Sequence, residues 1–198
     1  YVTDYREVMS SDDVDAVLLL HSDPKAEAAV AAFEGGKHVF LEKPICTSLE
    51  QADAMIAAAR KSGKVGMAGY MKVQDPAYQA AQLEVETMTD IQFVQVNHLH
   101  PDNNLHLENF RVKHFDDLPP NLKSESDAYR KSAVYAALGE VPERVERTFS
   151  IAGSMIHDIY SLRLMLGVPK TVISTEVWND FRAMTTVLEY PNGSRCVA

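Results

Sequence analysis

Apolar positions along the first seventy residues switch between two periods. Tyr5, Val8 and Met9 form a short helical stripe, and Val17–Leu20 is a continuous apolar run of the kind carried by a strand buried on both faces. Ala26, Ala29, Val30 and Phe33 recur at i, i+3, i+4 and i+7, which predicts a helix opened by Asp23-Pro24 and closed by Gly35-Gly36. Val39–Leu41 reads as the next buried strand. Thr47 and Glu50 stand at capping-box spacing ahead of a helix whose inner face is Ala52, Met55, Ile56 and Ala59. Gly63 stops that helix, and Val65–Tyr70 is the third strand.

Strands alternating with helices over short connections predict right-handed crossovers and a parallel sheet. Ligands of such sheets bind outside the carboxyl ends of the strands. Three exits converge there: Leu20 leads to His21 and Ser22, Leu41 to Glu42 and Lys43, and Tyr70 to Met71 and Lys72. Lys43, inside Glu42-Lys43-Pro44, therefore lies on the functional edge as a candidate proton donor.

The pattern changes after Asp75-Pro76. A helix to about Glu86 is followed by a strand over Ile91–Leu99, whose alternation slips at Phe93-Val94 and suggests a bulge. Residues 101–124 are polar and rich in Asn, Asp and Pro, so they read as a loop. Helices are expected from about Glu125 to Leu138, from Pro142 onward, and over Ser154–Leu166 before Gly167 and Pro169. Thr171–Trp178 and Ala183–Tyr190 read as strands, with Pro191-Asn192-Gly193 turning the chain back. The fold class is α/β: a partial Rossmann-like parallel sheet over 1–74, then an incomplete α+β domain over 75–198 with an open, mainly antiparallel sheet.

Composition is ordinary for a globular protein, with 46% hydrophobic and 24% charged residues. A formal charge of -9 argues against a nucleic-acid partner, because a phosphate backbone calls for a basic face. No apolar run has the ~20 residues of a membrane span, so no membrane partner is expected. Cys46 and Cys196 have no disulfide-framework spacing, which makes a cytoplasmic location the default.

His157 lies near the start of its predicted helix beside the stripe Met155, Ile159, Leu162 and Leu166. It is either a boundary histidine bound to a backbone carbonyl or a general base. His98 and His100, two apart at a strand end, would need Asp102 and His106 to complete a metal site; substrate contact or a solvated strand end is the preferred reading, and no metal is expected. Gly63, Gly66 and Gly69 flank a strand and do not form a G-x-G-x-x-G phosphate turn.

Asp15–Leu20, Ala26–Glu34, Gly35–Leu41 and Glu42-Lys43-Pro44 together resemble the Gfo/Idh/MocA family of NAD(P)-dependent oxidoreductases. Gly69-Tyr70-Met71-Lys72 with Asp75-Pro76-Ala77-Tyr78, and Ile156-His157-Asp158-Ile159 with Leu164-Met165-Leu166-Gly167, extend the similarity. The resemblance implies a domain binding NAD or NADP and a second domain for a small sugar-, polyol- or hydroxy-type substrate. It further implies a homo-oligomer formed through the second-domain sheet. Lys43 would hydrogen-bond the reacting oxygen beside the nicotinamide, and His157 would exchange the hydroxyl proton. His21, Ser22 and Glu42 would line the cofactor side, with Lys72, His98 and Tyr160 as substrate contacts.

Three departures qualify that expectation. The family often has Asp four residues before the histidine, where Gly153 stands, and Asp three residues after it, where Tyr160 stands. Asp158 projects about 100° around the helix from His157 and is no direct substitute. The glycine-rich pyrophosphate turn would precede Tyr1, so the chain is expected to be truncated at the N-terminus and also at the C-terminus. As a 198-residue species it is expected to bind NAD(P) weakly, to be inactive alone and to self-associate through exposed sheet edges. These departures leave a competing reading, a non-catalytic ligand- or partner-binding homologue.

Overall fold

A computed structural model describes residues 2–22, 24–99, 104, 107–113 and 119–198. Asp23, His100, Asp102 and His106, named above, lie outside the described residues. The chain divides into two compact units, Tyr1–Met71 with Ser124–Glu146, and Lys72–Lys123 with Arg147–Ala198.

The first unit follows the predicted alternation: α1 (Tyr5–Ser10), β1 (Ala16–Leu19), α2 (Ala26–Glu34), β2 (His38–Leu41), α3 (Leu49–Ser62) and β3 (Gly66–Ala68). The sheet order is β1-β2-β3, all parallel, with Leu19 opposite Leu41 and Leu41 opposite Ala68. Its core joins Val17, Leu19, Val39 and Leu41 to Ala29, Ala32 and Phe33 of α2 and Met55 and Ala58 of α3. β1 is not buried on both faces as its apolar run suggested. Leu18 and Leu20 are 65% and 60% exposed, because the α2–α3 core packs against only the Val17/Leu19 side.

Close approach sets two glycines. A Cβ on Gly35 would lie 2.1 Å from the Met9 carbonyl oxygen, and one on Gly66 would lie 2.8 Å from Phe33 Cζ. The cap of α3 sits one residue later than its sequence spacing suggested. Ser48 Oγ accepts from the Gln51 N–H at 3.2 Å, while Gln51 Oε1 accepts from the Thr47 N–H at 2.9 Å.

α5 (Leu122–Leu138) belongs mostly to this first unit, so the expected division at residue 74 misses a returning segment. Long-range contact explains the return: Ala133 is buried, and its carbonyl accepts from Thr47 Oγ1 at 3.4 Å.

The second unit contains α4 (Pro76–Thr87), β4 (Phe93–Gln95), most of α6 (Glu143–Ser154), α7 (Ile156–Leu166), β5 (Thr171–Trp178), β6 (Ala183–Glu189) and β7 (Arg195–Val197). Asp75 Oδ1 caps α4 by accepting from the Ala77 N–H at 2.7 Å, with Pro76 in the first turn. The sheet order is β4-β7-β6-β5; β5/β6 and β6/β7 are antiparallel and β4/β7 is parallel. The hairpin at Pro191-Asn192-Gly193 returns the chain as predicted, with Gly193 at φ 87.

The expected strand over Ile91–Leu99 shortens to three residues paired in unbroken register with β7, so Phe93-Val94 is no bulge. The irregularity in this sheet falls between Val172 and Ser174 of β5. The predicted helix over Ser154–Leu166 begins at Ile156, because α6 runs on to Ser154 and the two helices part at Met155.

Candidate active site

Within the first unit, backbone hydrogen bonds extend the ladder one residue past the strands. The Glu42 N–H donates to the Leu19 carbonyl at 2.9 Å, and the Gly69 N–H donates to the Leu41 carbonyl at 2.7 Å. The topology thus brings His21, Ser22, Glu42 and Lys43 to one carboxyl edge; the first two are exposed and the latter two half-buried. Gly69 is needed at this edge. A Cβ there would sit 2.9 Å from Glu42 Oε2 and 3.1 Å from the Leu41 carbonyl oxygen, so its absence leaves room for the Glu42 carboxylate.

The Lys43–Pro44 peptide is cis. A cavity of ≈ 460 Å³ opens at the end of β1, lined by Tyr5, Leu19, His21, Pro24, Ala28 and Tyr129. Arg6 and Glu27 add charged groups to its lining. Lys72 is exposed on the one-turn 3-10 helix Met71–Gln74.

Within the second unit, two pairs meet on α7. His157, at its second position, has Nδ1 2.7 Å from Tyr160 Oη, with the rings edge-on at 5.5 Å and 74°. Tyr160 is only 7% exposed, so its hydroxyl is held against the imidazole by packing. The backbone of the same turn is tied elsewhere: Ser161 Oγ donates to the His157 carbonyl at 2.6 Å, and Tyr78 Oη donates to the Ser161 carbonyl at 3.2 Å.

The second pair is His98 and Asp158, with Nδ1 and Oδ2 2.6 Å apart. An ionised carboxylate only accepts, so His98 carries its proton on Nδ1. His98 also lines a cavity of ≈ 1160 Å³ together with Asn97, Met155, Trp178, Phe181 and Arg182. One rim of this cavity is a left-handed turn with Asn179, Asp180 and Phe181 at φ 52, 50 and 61. Three successive non-glycine residues in that region are strained, and Arg147 braces them. Its guanidinium donates to the Asp180 carbonyl at 3.0 Å, pairs with the Asp180 carboxylate at 3.0 Å, and lies 4.1 Å from the Phe181 ring centroid.

Gly153 sits in the last turn of α6, where an added Cβ would meet nothing within 4 Å, and the break at Met155 separates it from His157. Among the described residues no three His, Cys, Asp or Glu side chains are grouped to hold a metal, and no helix is long and apolar enough to cross a membrane. Sequence reasoning missed the His98–Asp158 pair, since sixty residues separate its members. It also missed Lys25, whose burial no pattern announces.

Several known proteins are similar to this chain. The family model described as an oxidoreductase family with an NAD-binding Rossmann fold matches residues 1–70. An inositol 2-dehydrogenase/D-chiro-inositol 3-dehydrogenase of Halalkalibacterium halodurans is 42% identical over 77 residues, which are 38% of this chain and 22% of that protein. A 4-carboxy-2-hydroxymuconate-6-semialdehyde dehydrogenase of Sphingobium is 35% identical over 98 residues, 46% of this chain and 31% of that protein. Among solved structures, an inositol dehydrogenase homologue from Azotobacter vinelandii complexed with NAD+ superposes with TM-score 0.67 at 19% identity, covering 99% of this chain and 49% of that one. The chain therefore spans about half the length of the solved structure and less of the curated relatives. The parallel sheet and its Glu-Lys-Pro edge fall in the matched segment, so residues 1–70 are similar to the Gfo/Idh/MocA oxidoreductase family, whose fold is an NAD-binding Rossmann fold.

Proposed function

We propose that the protein is an NAD(P)-dependent oxidoreductase that transfers hydride between the nicotinamide and a small sugar-, polyol- or hydroxy-type substrate. The observation that carries this reading is the Glu42-Lys43-Pro44 turn on the carboxyl edge of a parallel sheet, with Glu42 and Lys43 half-buried. His21, Ser22, Glu42 and Lys43 hold the nicotinamide-ribose side. NAD(P) bound there supplies the hydride acceptor or donor.

Lys43 Nζ donates to the reacting oxygen and stabilises the negative charge that develops on it. His157 takes the hydroxyl proton, and Tyr160 Oη, 2.7 Å from its Nδ1, holds the imidazole in place. Once His157 is protonated the same bond becomes charge-assisted and strengthens. His98, oriented by Asp158, contacts the substrate from the wall of the larger cavity, and Lys72 is a further contact. The test is turnover of the intact protein with nicotinamide cofactor across polyols, sugar derivatives and hydroxy acids, compared with Lys43→Ala.

The partner proposed for the second unit is another copy of the chain, docked on its sheet. Supporting this, Val172, Ile173 and Trp178 of β5 are 57%, 43% and 51% exposed, an apolar strand of the kind that marks interfaces.

One observation favours a second reading, a homologue that binds a ligand or partner without hydride transfer. The position of the usual aspartate is Gly153, on a separate helix from His157. Calorimetric binding of a substrate with no cofactor turnover would support that reading.

A further inference from the structure

Lys25 is 1% exposed and, with Cys196, is one of the two largest fully buried side chains among the described residues. It is also the N-cap residue of α2, where its carbonyl accepts from the Ala29 N–H at 2.9 Å and its side chain makes no cap bond. A cation is disfavoured there twice: burial strips its water, and the amino end of a helix carries partial positive charge. An apolar side chain would fill the same space without either cost. The ammonium instead reaches the fold's most functional segment, donating from Nζ to the Pro44 carbonyl at 3.1 Å.

That contact completes a bracket around Lys43. On one side, the Glu42 N–H is fixed to the Leu19 carbonyl at 2.9 Å. On the other, Pro44 has no N–H to anchor it, and its carbonyl is held by Lys25. Downstream, the Thr47 N–H donates to Gln51 Oε1 at 2.9 Å. The chain between Glu42 and Thr47 leaves the sheet; Ile45 and Cys46 pack against the core, and Lys25 adds a hydrogen bond at the Pro44 carbonyl just ahead of them. Glu42 and Lys43 are the charged groups of this turn, and Glu27 lies on the exposed side of α2's first turn.

We propose that Lys25 is a positioning residue: its buried ammonium, bonded to the Pro44 carbonyl, fixes the turn that presents Lys43. This rests on the role proposed for Lys43, but the geometric part stands without it.

Lys25→Met removes the charge and the donor while keeping the length, and Lys25→Arg keeps both. Hydrogen exchange of the intact protein, read by mass spectrometry on peptides spanning residues 42–47 and on the β5–β6 hairpin, separates the possibilities. The expected result for Lys25→Met is exchange about tenfold faster or more at Ile45 and Cys46, an unchanged hairpin, and recovery toward wild type in Lys25→Arg. Turnover should fall in Lys25→Met with the KM for cofactor nearly constant, and Lys25→Arg should restore part of it. Unchanged exchange in residues 42–47, or a uniform rise across the whole first unit, would overturn the proposal, the latter by making Lys25 an ordinary core residue. If Lys25→Met does not fold, Lys25→Arg decides alone: wild-type protection supports the donor role, and lost protection refutes it. Altered exchange with full activity retained in Lys43→Ala would sink the catalytic reading while leaving the positioning role intact.

Discussion

Tyr160→Phe removes one oxygen from the His157 pair and leaves the ring in place. Because Tyr160 is 7% exposed and its ring packs edge-on at 5.5 Å, the apolar burial is retained and only the 2.7 Å bond is lost. A neutral hydrogen bond of this kind contributes about 1 kcal/mol net. A buried partner left bare would cost up to about 3 kcal/mol, but His157 is half-buried and water can replace the hydroxyl, so the lower figure applies. For a unit of this size that corresponds to a Tm lower by about 2–8 °C. Urea unfolding measures the stability, and ¹⁵N spectra of the His157 ring report its tautomer. The variant should lose about 1 kcal/mol and show a changed ring spectrum. Wild-type stability together with an unchanged ring spectrum would refute the claim that Tyr160 orients His157.

Two further outcomes follow from burial. Cys196 is fully buried, and desolvation pushes its thiol above the ordinary value; Tyr190 is raised by burial and by the neighbouring Cys196. A thiol whose folded pKa is raised contributes stability below the unfolded pKa and loses it as pH climbs through the folded value. Stability of the second unit should therefore fall above about pH 8.5, and Cys196→Ala should flatten that fall in a pH series of urea midpoints; an identical alkaline slope in both proteins would contradict this. On the exposed strand β5, Ile173→Lys should convert a self-associated species to monomer in sedimentation velocity, and an unchanged distribution would exclude this face as the interface.

The parallel βαβαβ order was legible because period and punctuation coincide: Ala26, Ala29 and Phe33 face the core, and Gly63 ends α3 in a left-handed cap at φ 67. The hairpin after Tyr190 was legible for the same reason, since Asn192-Gly193 is turn chemistry. What failed depended on distant partners. The strand around Val94 is the three residues that pair with β7, shorter than its own apolar run. α5 returns to the first unit through Ala133, a contact with Thr47 that no local pattern encodes. The break at Met155 has Gly153 two residues ahead of it, a weak signal because that glycine still lies inside α6. Lys25 was invisible because lysine is almost always exposed, so only its three-dimensional surroundings reveal a buried one.

Of the site residues, Lys43, Glu42, His21 and Ser22 could be placed on one edge because parallel topology dictates where strands end. The pairing of His157 with Tyr160 was within reach of i, i+3 spacing. The pairing of His98 with Asp158 was not.

The most direct test measures hydride transfer and cofactor binding side by side in the intact wild type and Lys43→Ala. Nicotinamide absorbance follows turnover over polyols, sugar derivatives and hydroxy acids, and calorimetry follows NAD(P) affinity. If Lys43 polarises the reacting oxygen, kcat/KM on an accepted substrate falls by about 10²–10⁴-fold in the variant while cofactor affinity stays nearly unchanged. Full activity in Lys43→Ala would contradict the role assigned to the Glu42-Lys43-Pro44 turn.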